Sequence, residues 1–295
     1  MHRLVLSCLL ALAMSRAIAQ GGYPDRPLRL IVPFPPGGTV DLIARIVAER
    51  IAPGLGQTVV VDNRAGAGGA IGADAVARAA PDGYTILQGT GSTHGTNPAV
   101  NKKLPYDPIK DFDPIVMIAR TPYILVAHPA IAANTVRELV ALAKAQPGKN
   151  NFASYGSGSS NHLAAELFKA MAGIDLVHVP YKGAAPAVAA IVAGEVQVIF
   201  DVVGTSGQHI KAGKMKLLGV GSPQRSPVAP DAPTLAESGV TGFDAGTFFG
   251  LFAPAGTPRV IVDRLNREVV KVLAMPAERE RLVMLGQEYL GEFFL

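Results

Sequence analysis

Two stretches of strand–helix alternation, each followed by a long extended run, restrict this chain more than any other feature. In the first, LRLIVPF (28–34) reads as a strand and Thr39 to Ala52 as a helix with Leu42, Ile43, Ile46 and Val47 on one face. TVVVDN (58–63) follows as a strand, Ala70 to Ala80 as a helix and YTILQGT (84–90) as a strand. A βαβαβ rhythm implies a parallel sheet with helices on its faces. FDPIVMIARTPYILVAHP (112–129) then runs extended with few turn signals before Pro129. The second alternation has helices at TVRELVALAKA, SNHLAAELFKAMAG and APAVAAIVAG, and strands at NFASYG, LVHVPY, VQVIFD and MKLLGV. A second extended run, GFDAGTFFGLFAPAG (242–256), precedes helices over 258–274 and 276–285. The pattern predicts an α/β protein of two lobes joined by two crossing strands. Lobe 1 would be discontinuous, from 23–123 plus 250–295, and lobe 2 would span 124–249. A single doubly wound sheet is the alternative, and 295 residues suffice for either.

The N-terminus sets the compartment. MHRLVLSCLLALAMSRAIAQ has Arg3, an apolar run from Leu4 to Met14, and small residues at Ala17 and Ala19. This is the pattern of a secretory signal peptide, residues 1–19, cleaved after Ala19. The run is shorter than the ~20 residues a membrane-spanning helix needs. Cys8, the single cysteine, leaves with the signal, so the exported chain has neither disulfides nor thiolate chemistry. The net charge is +4 with no basic run that would track a phosphate backbone, which excludes a nucleic-acid partner.

Four loops at predicted strand ends are rich in Gly, Ser and Thr: PFPPGGTVD (33–41), GTGSTHGTN (89–97), SYGSGSSNH (154–162) and DVVGTSG (201–207). Ligands of open α/β sheets sit at such ends. In the first loop Gly37 and Gly38 permit a tight turn, and the following helix N-terminus favours a negative ligand. The loop at 154–162 opens a helix in the same way and carries no Lys, unlike a phosphate-binding P-loop. Taken singly, each is also readable as an ordinary capped turn. Lys182 in VPYKGAAPA follows a strand, where it is either an anion contact or a solvated loop lysine.

Rival chemistries lack their spacing. RAGAGGAIGAD (64–74) follows a strand but breaks G-x-G-x-x-G, and no acid ends the next strand, so a dinucleotide is not expected. No serine sits in a G-x-S-x-G elbow. Ser92/His94 and Ser160/His162 are close in sequence, and a secreted Ser/His hydrolase is the enzymatic alternative. Histidines 94, 128, 162, 178 and 209 are scattered, so no metal site and no cofactor are expected.

The loops and their order resemble the Bug family, the TctC-like substrate-binding proteins of tripartite tricarboxylate transporters. The matching segments are YPDRPLRLIVPFPPGGTVDLIARIVAERI, VVVDNRAGAGGAIGADAVARAAPDGYTIL, PYDPIKDFDPI, HLAAELFKAMAGIDLVHVPYKGAAPAVAAIVAGEVQVIFD and FGLFAPAGTPRVIVDRLNREV, which cover nearly everything from Tyr23 to Gly286. The resemblance implies a two-lobed periplasmic-binding-protein fold of type II-like form, with two parallel-rich sheets. It would close over a small carboxylate without catalysis and deliver it to membrane transport subunits. A periplasmic location and a monomer are expected. A ligand-sensing subunit for a membrane receptor would share the fold.

Carried over by position, lobe 1 would offer Phe34, Gly37, Gly38, Thr39, Ser92, Thr93 and His94 to the ligand. Lobe 2 would offer Ser157, Ser159, Ser160, His162, Tyr181, Gly183 and Asp201. Asp201 would need a water or a ligand ammonium beside it, and is otherwise a helix cap. The chain closes on GQEYLGEFFL, whereas members of the family continue with a helix packed on lobe 1. A shortened lobe 1 with reduced stability is therefore expected.

Overall fold

The computed structural model describes residues 22–227 and 229–292. The expected signal segment with Cys8 and the final Phe-Phe-Leu lie outside these residues.

The first alternation forms strand β1 (Leu28–Val32), helix α1 (Thr39–Leu55), β2 (Val59–Asn63), α2 (Ala70–Ala77) and β3 (Thr85–Thr90). β1 pairs in parallel with both neighbours, Leu30 lying opposite Val61 and Ile86. α1 is helical because Ile43, Val47, Ile51 and Leu55 recur at helical spacing and all are buried. It stops at Gly56, whose left-handed φ of 72° lets its N–H reach the Ala52 carbonyl at 2.9 Å. After β3 comes one turn of π-helix (Ser92–Thr96) and the short α3 (Asn97–Val100).

The extended run 112–129 is two strands of different sheets, β4 (Phe112–Pro122) and β5 (Ile124–Ala127), and the chain crosses between lobes at Tyr123. The second alternation continues with α4 (Val136–Ala145), β6 (Asn151–Ser154), α5 (Ser160–Ala172), β7 (Val177–Pro180), α6 (Ala184–Ala193), β8 (Val198–Asp201), α7 (Val203–Lys211) and β9 (Lys216–Val220). The chain returns through β10 (Gly246–Pro254) to α8 (Arg259–Leu273), α9 (Pro276–Met284) and β11 (Glu288–Glu292). α7 occupies residues read from sequence as the loop 201–207. Its polar, glycine-containing run VGTSGQHIK gives no helical signal.

The six-stranded sheet has the order β11-β4-β10-β3-β1-β2 and the five-stranded sheet β7-β6-β8-β5-β9. Parallel pairings come from the βα units, and antiparallel ones involve the crossing and return strands. Both sheets are covered on both faces, as strand alternation shows. Leu30 and Val32 face the core under α1 and α8, whereas Ile31 faces Ala73 and Val76 of α2. In the second sheet Leu125 and Ala127 face Phe152, Phe168 and Phe243, while Ile124 and Val126 face Val188 and Ile191 of α6.

Three segments meet where the chain passes between the sheets. Tyr123 N–H donates to Ala245 O (3.0 Å), Gly221 N–H to Tyr123 O (2.7 Å) and Ala245 N–H to Gly221 O (2.8 Å). A side chain on Gly221 would meet Ala245 O at 2.8 Å, so this junction requires glycine.

Lobe 2 is the place to test the core. Phe243 is 1 % exposed and stacks on Phe200 with centroids 5.6 Å apart. Phe243→Ala is expected to cost about 3–5 kcal/mol. Urea denaturation followed by far-UV circular dichroism would measure it.

Candidate functional site

The strands end at one place. The C-terminal ends of β1, β3, β6, β7 and β8 face a cavity between the lobes. Four helices point their N-termini at it: α1 through Gly38, Thr39 and Val40, α5 through Ser160, α6 through Ala184, and α7 through Val202 and Thr205. None of the four is capped by the side chain of its own N-cap residue, although Ser160 N–H of α5 is taken by Ser92 Oγ across the cleft. Their first-turn N–H groups and positive dipole ends are therefore directed toward the cavity. Hydroxyls supply the rest of the polar lining, from Thr90, Ser92, Tyr123, Ser160, Thr205 and Thr247. Among the described residues no Lys, Arg, His, Asp or Glu lines the cavity. About 30 Å³ of the cavity admits the centre of a water molecule.

The lobes are closed upon each other. Ser160 N–H donates to Ser92 Oγ (3.0 Å), Ser92 Oγ and Ser160 Oγ are 3.0 Å apart, and Tyr123 OH is 2.6 Å from Ser160 Oγ. Thr39 Oγ1 and Thr205 Oγ1 share a 2.8 Å hydrogen bond, and Thr96 Oγ1 donates to Gly158 O at 2.9 Å. Gly183, at φ 139°, lies against Pro35, where a Cβ would meet Pro35 Cδ at 2.5 Å.

Local sequence explains the loop that opens α5. Asn161, fully buried, accepts from Tyr155 N–H (3.2 Å) and Ser159 Oγ (2.8 Å) and donates to Phe200 O (3.1 Å). Ser159 Oγ lies within hydrogen-bonding distance of both this oxygen and Gly156 O. The loop is held by its own side chains, and Ser160 is left facing the cleft.

A family model described as the tripartite tricarboxylate transporter family receptor matches residues 43–291. The chain belongs to this receptor family. BugT of Bordetella pertussis is 39 % identical over 265 residues, covering 90 % of this chain and 81 % of that protein. Among solved structures, a Rhodopseudomonas palustris protein with adipate matches at TM-score 0.88 and 37 % identity, covering 91 % and 90 % of the two chains. MatC of the same organism, with bound malate, matches at 0.87 and 36 %, covering 90 % and 91 %.

In this receptor, five of the residues read from sequence line the cavity: Phe34, Gly38, Thr39, Ser92 and Ser160. Ser157 and Tyr181 line an adjoining compartment. The others lie elsewhere. Gly37 is exposed, with its N–H donated to Asp41 Oδ2 (3.1 Å). Thr93 Oγ1 turns inward to Thr90 O and His94 Nδ1. His94 stacks on Phe252 with centroids 3.9 Å apart, inside lobe 1. Ser159 is consumed by its loop, and Gly183 serves interlobe contact. His162 stacks on His178 at 4.0 Å, and its Nδ1 accepts from Gly158 N–H at 3.2 Å.

Asp201 is fully buried, accepting from Val202 N–H (2.7 Å) and from the hydroxyls of Tyr155 and Ser206. Burial pushes its carboxyl above the ordinary value. The cap of α7 is Val202 without a side-chain bond, and Asp201 anchors Tyr155 and Ser206. Sequence reading missed Tyr123, Tyr155, Thr90, Thr205 and Thr247. Thr90, Tyr155 and Thr205 lie within three of the loops singled out from sequence. Tyr123 and Thr247 sit in the two extended runs, and only the crossing brings them to the cleft.

No imidazole bonds Ser92 or Ser160 among the described residues. Each serine oxygen is instead bonded to the other, and Ser160 Oγ also to Tyr123. A serine nucleophile needs a base within reach, and this arrangement supplies none. Among the described residues no group of His, Cys, Asp or Glu is placed to hold a metal ion.

Two predictions follow from this geometry. Gly183→Ala keeps the lobes from closing fully and is expected to weaken ligand binding about tenfold, within the usual cost of overpacking. Small-angle scattering and calorimetry would show it. The second concerns acid. Burial lowers His94 and His178 from 6.5 to about 4, and lowers His162 as well. Between 6.5 and 4 the unfolded chain binds protons that the folded chain refuses, so stability falls as pH drops through that window. Protonated His162 also cannot accept from Gly158 N–H. Urea midpoints at pH 7.5 and 4.5 should differ, and His178→Gln should reduce the difference.

Proposed function

We propose that this receptor captures a small organic carboxylate between its lobes and hands it to the membrane subunits of a tripartite tricarboxylate transporter. The observation that carries this reading is the convergence of four helix N-termini and a ring of hydroxyls on one cavity lined by no charged side chain among the described residues. Such a site stabilises an anion through oriented dipoles. The malate and adipate seen in the two R. palustris relatives are compact carboxylates and support the class. The serines act as hydrogen-bond partners, and no reaction is catalysed.

The remaining features belong to the same proposal. The N-terminal signal of residues 1–19 would send the chain to the periplasm, where it acts as a monomer. No helix of the described residues is long and apolar enough to cross a membrane. Lobe 1 is built from residues 23–123 with the C-terminal portion and lobe 2 from 124 to 249 less the start of β10, whose residues 246–249 pair with β3 and β4 and so join lobe 1. Ligand favours the closed form by its differential affinity for it, and the closed form is the one that the membrane subunits recognise.

Thermal unfolding of the mature protein against mono-, di- and tricarboxylates tests the reading. A carboxylate at 100 times its Kd should add about 2.7 kcal/mol of stability. A cooperative melt unmoved by every carboxylate would sink it. Ser160→Ala removes a hydroxyl that bridges Tyr123 and Ser92, and should weaken binding about fivefold, the scale of one hydrogen bond. No turnover of esters or amides is expected from either protein.

A further inference from the structure

The interlobe cavity is short of room for more than a carboxylate head group, since only about 30 Å³ of it admits the centre of a water molecule. A second compartment adjoins it and shares two walls, Phe34 and Tyr155. About 150 Å³ of it admits a water centre. Both lobes build it: Gly66 to Gly69 from lobe 1, and Tyr155 to Ser157 with Tyr181 and Lys182 from lobe 2. We infer that this compartment is a second subsite, which receives the distal end of the bound carboxylate, and that Tyr155 and Lys182 set the length and charge of that end. The inference rests on the carboxylate-binding reading above.

The floor of the compartment is backbone, shaped at a conformational cost. Residues 66–69 have consecutive positive φ values of 137°, 48°, 62° and 93°, and Ala67 is the one non-glycine among the described residues with positive φ. Residues are held in such conformations where the surroundings over-determine them, commonly at ligand clamps. A Cβ on Gly69 would meet Phe34 Cζ at 3.2 Å, and one on Gly68 would meet Ser157 O at 3.4 Å. The positive φ at each of the three glycines disfavours a side chain whatever the space, so glycine keeps this wall of the compartment low.

The walls are specific. The hydroxyl of Tyr155 is donated to buried Asp201, which fixes the phenol as a partition between the two spaces. Among the described residues Lys182 is the only charged one lining either space, and it is exposed. A ligand with a second anionic group at its far end therefore meets a cation there. The other opening from the main cavity, beside Ser160 and Thr247, leads past Arg120 and Asp244. Those opposite charges select no single ligand charge.

The test compares succinate, adipate and suberate with butanoate, hexanoate and octanoate by titration calorimetry. Wild type should prefer each dicarboxylate to the monocarboxylate of equal length. In Lys182→Met that preference ratio should fall about fivefold, the upper range for an exposed ion pair. Tyr155→Ala removes the partition and should shift the preferred dicarboxylate toward suberate, whereas Tyr155→Phe should keep the wild-type ranking. Thermal melts establish that each variant is folded, and Lys182 is exposed enough for its replacement to fold. An unaltered ratio in Lys182→Met, or an unaltered length ranking in folded Tyr155→Ala, overturns the subsite while leaving the carboxylate reading intact. Failure of wild type to bind any of the acids overturns both.

Discussion

An anion can be held without a cation only where many small dipoles converge and bulk water is kept out. That requirement organises this molecule. Helix dipoles are felt within about the first turn, so the N-termini of α1, α5, α6 and α7 must all come within a few ångströms of one point. Helices on the faces of one sheet cannot do this alone. Two sheets must present their C-terminal edges to each other, and the edges must approach closely. Gly38 and Gly183 permit that approach, the one against Ala184 and the other against Pro35. The hydroxyl pairs Ser92–Ser160 and Thr39–Thr205 then close the gap with hydrogen bonds across the cleft.

Tyr123 ties this site to the rest of the fold. It stands between β4 and β5, and its backbone bonds both other segments at the interlobe junction. Its ring is part of the lobe 2 core, while its hydroxyl reaches Ser160 in the cleft. Packing, topology and recognition therefore meet in one side chain. Burial raises its hydroxyl far above the ordinary phenol range, so it remains a neutral hydrogen-bonding group.

How far sequence carries depends on what encodes each feature. The βα units were legible because alternation and helical periodicity are local, and β1, α1, β2, α2 and β3 fall close to their expected spans. The cavity was legible at Gly38, Thr39, Ser92 and Ser160, since these sit just past strand ends. His94 was misleading for a three-dimensional reason. The π-helical turn at 92–96 aims Ser92 at the cleft and carries His94 onto Phe252. α7 and the cavity residues Tyr123 and Thr247 depend on tertiary contacts, and no local pattern reports them. The β11 strand likewise owes its place to pairing with β4, as the register of Tyr289 opposite Ala119 shows.

The absence of charged side chains from the main cavity has an evolutionary meaning. On the proposed reading, the helix N-termini hold the carboxylate partly through main-chain N–H groups, which nearly every residue supplies alike. Substitutions at Phe34, Val40, Tyr155 or Phe249 alter the shape offered to the remainder of a ligand without dismantling the anion hold. A duplicated gene for such a receptor thus starts with its hardest problem already solved. A few wall changes can redirect it to a different acid, so one scaffold can support a large repertoire of nutrients.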